Sequence, residues 1–100
     1  MKYEKLVRDK VPEIIKQRGD TPITHIAAEQ EYWLKLKEKL VEEVQEFNQA
    51  ETAEELADIF EVIDAICAYK NFEQAEIRKL QQVKADKRGK FKERIILDES

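Results

Sequence analysis

Apolar residues return every three or four positions along the first half of the chain, at Trp33, Leu36, Leu40, Val44 and Phe47. That period matches a helix with one buried face and predicts an α-helix over Gln30–Asn48. The pattern resumes with Leu56, Ile59, Ile63, Ile66 and Cys67. It predicts a second helix over Thr52–Tyr69, with Thr52 and Glu55 spaced as a capping box. Only about three residues separate the two, so an antiparallel hairpin is expected. Two shorter helices should flank it. Pro12 suits a first helical turn and Gly19 can close that helix. Asn71 is placed to cap a helix that ends near Gly89, with Ile77, Leu80 and Val83 as its apolar face. Residues Thr21 to Ala28 read as extended or irregular, and Phe91 to Leu97 as a short strand or an arm on a partner. No repeat, linker or low-complexity tract interrupts the pattern. The expectation is a single all-α domain over residues 1–100, a helical bundle built on an antiparallel helix hairpin.

Composition narrows the class further. With 42% hydrophobic residues a core is possible, but 100 residues bury only a modest share of their surface. A chain this small is expected to be completed by oligomerisation, as a homodimer or homotetramer. Two glycines and two prolines are too few for a turn-rich sandwich or barrel. No apolar run approaches the ~20 residues that cross a bilayer, so no membrane association is expected. The opening MKYEKLVRDKVPEII mixes both charges and lacks the apolar stretch of a secretory signal. One cysteine, Cys67, cannot form an internal disulfide and reads as a small core residue. One histidine, His25, excludes a histidine metal cluster; it falls in the irregular segment, where exposure and no role are expected. A cytoplasmic setting is the expectation.

Charge changes the picture more. The net charge of −4 conceals a strong segregation. Glu42 to Asp64 holds nine acids and no Lys or Arg, while Arg78 to Arg94 holds eight bases against Asp86 and Glu93. The first eighteen residues add Lys2, Lys5, Arg8, Lys10, Lys16 and Arg18 against three acids. Solvated helices normally mix signs to gain i,i+4 pairs. The middle of this chain forgoes that gain.

Helical geometry sorts the acids by face. With Leu36 as origin and 100° per residue, the first apolar stripe lies at roughly 20–80°, Glu43 near −20°, Glu46 near −80° and Glu42 near −120°. With Asp58 as origin on the second helix, the apolar arc spans roughly 20–200°; Glu55 falls within it near 60° and Asp58 at its edge. Glu61 and Asp64 share the same spacing but point away. Carboxylates that face a helix interface need compensation, because an unpaired buried charge is costly. One solution is a hard divalent cation, since Mg²⁺ and Mn²⁺ take oxygen ligands and share them with phosphates. The other is a structural acid–base network, with Lys or Arg reaching in from another segment or chain.

Glu42-Glu43-Val44-Gln45-Glu46 followed by Glu55-Leu56-Ala57-Asp58 resembles the E-E-x-x-E … E-x-x-D signature of the MazG-like all-α nucleoside triphosphate pyrophosphohydrolases. That superfamily also includes dimeric dUTPases and phosphoribosyl-ATP pyrophosphohydrolases. The segment from Tyr3 to Pro12 resembles the opening of its small house-cleaning branch, and Lys87 to Ile95 its closing segment. The resemblance therefore extends over nearly the whole chain. It implies a helical bundle in which two chains pair, and Mg²⁺-dependent hydrolysis of the α–β bond of nucleotides. By motif, Glu43, Glu46, Glu55 and Asp58 would hold the metal, and Glu42 would act from a second shell or orient water. The short interval from Glu46 to Glu55 leaves little room for nucleotide-contacting insertions.

The implied reaction releases pyrophosphate and a nucleoside monophosphate, and needs charge neutralisation and positioning more than covalent help. Glu42 or Glu46 could accept the proton of the attacking water. Lys5, Arg8, Lys87, Arg88 and Arg94 lie in the two matched basic segments and are candidates to hold the phosphates. Trp33 and Tyr32 could stack a base, though Trp33 lies on the apolar stripe and reads first as core, and Tyr69 is in the same position. Three alternatives compete: phosphoribosyl-ATP hydrolysis, a non-enzymatic helical interaction module, and nucleic-acid binding through the basic tail. The negative net charge disfavours a stable nucleic-acid partner.

Overall fold

The computed structural model describes residues 4–100. Lys2 and Tyr3, counted above in the basic end and in the opening motif, lie outside the described residues. The described residues form four helices and no strand: α1 (Val11–Gln17), α2 (Glu29–Ala50), α3 (Ala53–Lys70) and α4 (Gln74–Arg88). None is long and apolar enough to cross a membrane. The fold is all-α, and the short strand considered for Phe91–Leu97 is absent. That tail lacks any neighbouring strand to pair with and stays open to solvent, with Phe91 97% exposed.

The two long helices match their predicted spans to within two residues at each end, because apolar periodicity runs through both. α2 against α3 is the one helix pair in extended contact among the described residues. Leu36 from α2 and Val62 and Cys67 from α3 are the apolar side chains that this contact buries. Trp33, Leu40, Phe47, Ile59 and Ile66 are half-buried around them. Val44, Leu56 and Ile63, expected on the buried stripes, face solvent instead. A single helix partner covers only a narrow seam, so the flanks of each stripe remain open. Near the start of α2 and the end of α3, Trp33 stacks on Tyr69 with centroids 5.1 Å apart and planes 5° from parallel. Tyr32 meets the same Tyr69 ring edge-on at 5.7 Å. Lys37 and Lys70 lie over the Trp33 ring at 5.2 and 5.3 Å, a cation–π arrangement.

Helix ends depart from expectation where local chemistry decides them. Thr52 occupies the N-cap position of α3 with an extended backbone, but no side-chain hydrogen bond caps that helix, so the capping box does not form. Asn71 does not start α4. It adopts a left-handed conformation (φ 58°) that ends α3, its N–H bonding back to Cys67, and α4 begins three residues later at Gln74. Asparagine tolerates that region better than most side chains, which suits it to stop a helix as well as to start one. At the end of α1, Gly19 (φ 92°) and Asp20 donate to the Lys16 and Ile15 carbonyls, a Schellman closure that a left-handed glycine makes easy.

Glu51 is a costly position, one of three non-glycine, non-asparagine residues with positive φ among the described residues, beside Glu4 and Arg94. It carries φ 55° between α2 and α3, with its N–H on the Phe47 carbonyl at 2.8 Å. The left-handed region costs an ordinary residue about 1–2 kcal/mol, of which glycine would recover most, less about 0.5–1 kcal/mol of extra unfolded-state entropy. Glu51→Gly is therefore expected to raise stability by about 0.5–1 kcal/mol in urea unfolding, without a change in the slope of the transition.

α4 has no comparable partner. Its apolar residues Ile77, Leu80 and Val83 are 36%, 62% and 47% exposed, and the predicted face makes no extended contact with another helix among the described residues.

Candidate metal centre

The acids chosen by helix face meet along the α2–α3 seam. Oxygens of Glu43, Glu55 and Asp58 lie within 4.8 Å of one another, and so do those of Glu42, Glu43 and Glu46. Glu43 belongs to both groups and joins them. It is 6% exposed, the one charged side chain buried among the described residues. Glu42, Glu55 and Asp58 are half-buried and Glu46 is exposed. Glu61 and Asp64 stand outside both groups. Glu61 lies 3.7 Å from Arg8, and Asp64 accepts a hydrogen bond from Gln74 at 2.8 Å.

Three bases compensate part of this charge. Lys39, one turn before the acids on α2, is 3.2 Å from Glu42 and 3.3 Å from Glu43. Lys5 donates to Glu42 Oε1 at 3.2 Å, and Arg8 donates to Asp58 Oδ1 at 2.7 Å. Five carboxylates thus face three cations. Sequence reasoning missed Lys39, although its i,i+3 and i,i+4 spacing to Glu42 and Glu43 is the signal of a helical ion pair. That residue stands directly before the base-free stretch, and the acidic cluster is counted only from Glu42.

The compensation is uneven. Glu43 Oε2 is fully buried and has no hydrogen-bond partner among the described residues. Burial holds the Glu43 carboxyl above the usual range; Lys39 pulls the other way, and the nearby Glu46 and Asp58 charges push it up further. For Glu42, burial also pushes upward, but hydrogen bonds and charge from Lys5 and Lys39 outweigh it and hold the carboxyl below the usual range. Adjacent carboxylates are therefore driven in opposite directions.

The donor set suits a hard cation. Every candidate ligand atom is a carboxylate oxygen, there is no thiolate or imidazole in either group, and a buried lone pair is unsatisfied. Ligands at about 2.0–2.1 Å in an octahedron stand about 3–4 Å apart, so small side-chain rotations would close either group on Mg²⁺ or Mn²⁺.

The remaining predicted residues fall elsewhere. Lys87 and Arg88 are in the last turn of α4 and Arg94 is in the tail; all three are exposed, and none pairs with the acids of α2 and α3. His25 is exposed as expected, but its Nε2 is 3.0 Å from Glu31. Cys67 is a buried free thiol.

Among known proteins, the chain is 47% identical over 47 residues to an uncharacterized protein of Mycolicibacterium smegmatis (strain ATCC 700084 / mc(2)155). The match covers 47% of this chain and 48% of that protein, so the chain spans about half the length of the relative it matches. No family model and no solved structure matches the chain.

Proposed function

We propose that the chain is a Mg²⁺-dependent nucleoside triphosphate pyrophosphohydrolase that cleaves the α–β bond and clears non-standard nucleotides. The observation that carries this reading is Glu43. A buried carboxylate with one unsatisfied oxygen, at the junction of two carboxylate groups whose negative charge exceeds the local bases by two, is an expensive arrangement for a purely structural network. A divalent cation matches that excess.

Glu43, Glu46, Glu55 and Asp58 would hold Mg²⁺, with Mn²⁺ as a substitute. The ion supplies neutralisation of phosphate charge and polarisation of its oxygens. Glu42 or Glu46 takes a proton from the attacking water. The water oxygen bonds to the α-phosphorus, the bond from that phosphorus to the bridging oxygen breaks, and pyrophosphate departs. Lys5 and Lys39 hold the Glu42 carboxyl below the usual range, so it is ionised and can accept at neutral pH, while Glu46 is open to solvent. Lys5 and Arg8 are near enough to the acids to turn toward a phosphate held there. Lys87, Arg88 and Arg94 pair with none of these acids among the described residues, and a second copy would be one way to bring them to the site.

A second copy also fits the exposed surface. The chain exposes 9450 Å², against about 5900 Å² for a compact protein of its mass, and its radius of gyration is 17.8 Å against about 13 Å. The excess is larger than the roughly 1,000–2,500 Å² that each partner commonly buries in an obligate pair, so it leaves ample surface for a second copy. The proposed architecture is an antiparallel α2–α3 hairpin whose open flanks, α4 face and tail are covered by another chain.

One preparation tests both readings. Sedimentation should give two or four times 11.8 kDa. A panel of standard and modified nucleoside triphosphates, with phosphoribosyl-ATP included, should yield pyrophosphate and a monophosphate only when Mg²⁺ is present. No turnover of any member, with no cation binding by calorimetry, would leave a helical interaction module as the better reading, which the exposed apolar faces favour.

A further inference from the structure

We propose that the N-terminal segment is an internal counter-ion strap that occupies the acidic cluster in the metal-free protein and is released by a divalent cation. The inference rests on the metal-centre reading above and extends it to regulation of that site. Residues 4–8 have no regular secondary structure, and only Leu6 of that stretch is half-buried. The segment nevertheless delivers two bases across 37 and 50 positions of sequence, Lys5 to Glu42 on α2 and Arg8 to Asp58 on α3. Each target belongs to a different carboxylate group, and the two groups share Glu43. The strap therefore bridges the site.

Arg8 Nη2 sits 2.7 Å from Asp58 Oδ1, so a divalent cation on the same carboxylate would meet the repulsion of the guanidinium beside it. Strap docking and cation binding are thus competitive, and each must weaken the other by the same factor. The strap is built to lose this competition. The Lys5 and Arg8 side chains are 44% and 56% exposed, and exposed pairs of this kind contribute little. Lys39, at 17% exposed and anchored within α2, is the base that stays. Released from Asp58 and Glu42, Arg8 and Lys5 would remain beside the ion, placed to take an anionic ligand such as a phosphate group. The same two bases then stabilise the empty site and complete the loaded one.

Calorimetric titration of Mn²⁺ into the metal-free full-length protein tests the strap. Arg8→Gln is expected to bind Mn²⁺ about two- to fivefold more tightly than wild type, and Lys5→Gln/Arg8→Gln more tightly still. Lys10→Gln removes the same charge from the same segment, at a residue paired with no carboxylate among the described residues, and should shift affinity less than twofold. In wild type, Mn²⁺ should also speed trypsin cleavage after Lys5 and Arg8 relative to cleavage after Lys92 in the exposed tail. If wild type binds Mn²⁺ while Arg8→Gln binds no more tightly, or Lys10→Gln matches it, the strap is refuted and the metal centre stands. Unchanged or slower cleavage after Lys5 and Arg8 has the same meaning. If no protein in the series binds Mn²⁺, both fall; binding by the strap variants alone supports the strap.

Discussion

Asp58→Asn and Glu46→Gln are each expected to lower nucleotide turnover by at least about 100-fold at saturating Mg²⁺, while far-ultraviolet circular dichroism stays that of the wild type. Loss of a residue that merely orients a metal ligand commonly costs about 10–100-fold, and a ligand itself should cost no less. The substitutions are isosteric, and both positions are at least partly open to solvent, so helix packing is not at stake. Glu61→Gln is the matched control. Glu61 lies one turn from Asp58 on the same helix, but its carboxylate is 57% exposed and its ion pair among the described residues is with Arg8, at 3.7 Å. An exposed pair contributes at most about 1 kcal/mol, which bounds the control at about fivefold. Retained turnover in Asp58→Asn and Glu46→Gln, or an equal loss in Glu61→Gln, would overturn the ligand assignment.

The contrast between Asp58 and Glu61 is legible in the sequence because helix periodicity fixes azimuth. Once apolar residues mark the buried side, each acid's angle follows from its position alone, and Glu43 and Asp58 separate from Glu61 and Asp64. The same periodicity locates α2 and α3. It overstates the width of their buried stripes, since an arc of apolar residues shows what could be covered, and packing against one partner covers less. Val62, buried in the structure, lies on the predicted arc without being one of the five residues that mark it.

What escapes the sequence depends on contacts that have no period. The path of residues 4–8 follows no repeat, so nothing local places Lys5 on Glu42 or Arg8 on Asp58. The resemblance puts these bases at phosphate, and the structure has them on carboxylates. Lys39 is a different case: its pairing is local and readable, but the residue stands outside the base-free stretch that marks the acidic cluster. Asn71 shows a third limit. An asparagine between two helical patterns can cap the second or end the first, and its left-handed backbone settles the choice only in three dimensions.

In metal-free protein at neutral pH, Glu43→Gln is expected to be more stable than wild type by roughly 1 kcal/mol, and the order should reverse when Mg²⁺ is added. Glu43 is the costly group of the apo state: buried, with one oxygen unpaired and a carboxyl held above the usual range by burial and by Glu46 and Asp58. A carboxyl whose folded pKa is raised binds its proton more tightly in the folded than in the unfolded chain. Between the ordinary carboxylate value and the raised one, the folded state carries more protons, so stability grows as pH falls through that window and is lost toward neutrality. Glu42 has the opposite sign. Its carboxyl is held below the usual range, so its contribution is present above the ordinary value and disappears as pH falls through the lowered one. Apo wild type should therefore gain stability on mild acidification and lose it on stronger acidification. Glu43→Gln should lack the first limb and keep the second. On the proposed metal-centre reading Mg²⁺ inverts the comparison, because it would bind the folded state alone. At a concentration 100 times its dissociation constant it adds about 2.7 kcal/mol to wild type, while a variant without the shared ligand gains little. Urea unfolding across pH, with Mg²⁺ and with a chelator, reads all of these effects in one series. A Glu43→Gln protein less stable than wild type without metal at neutral pH would show that the Lys39 pair compensates Glu43 in full, and that no cation is needed there.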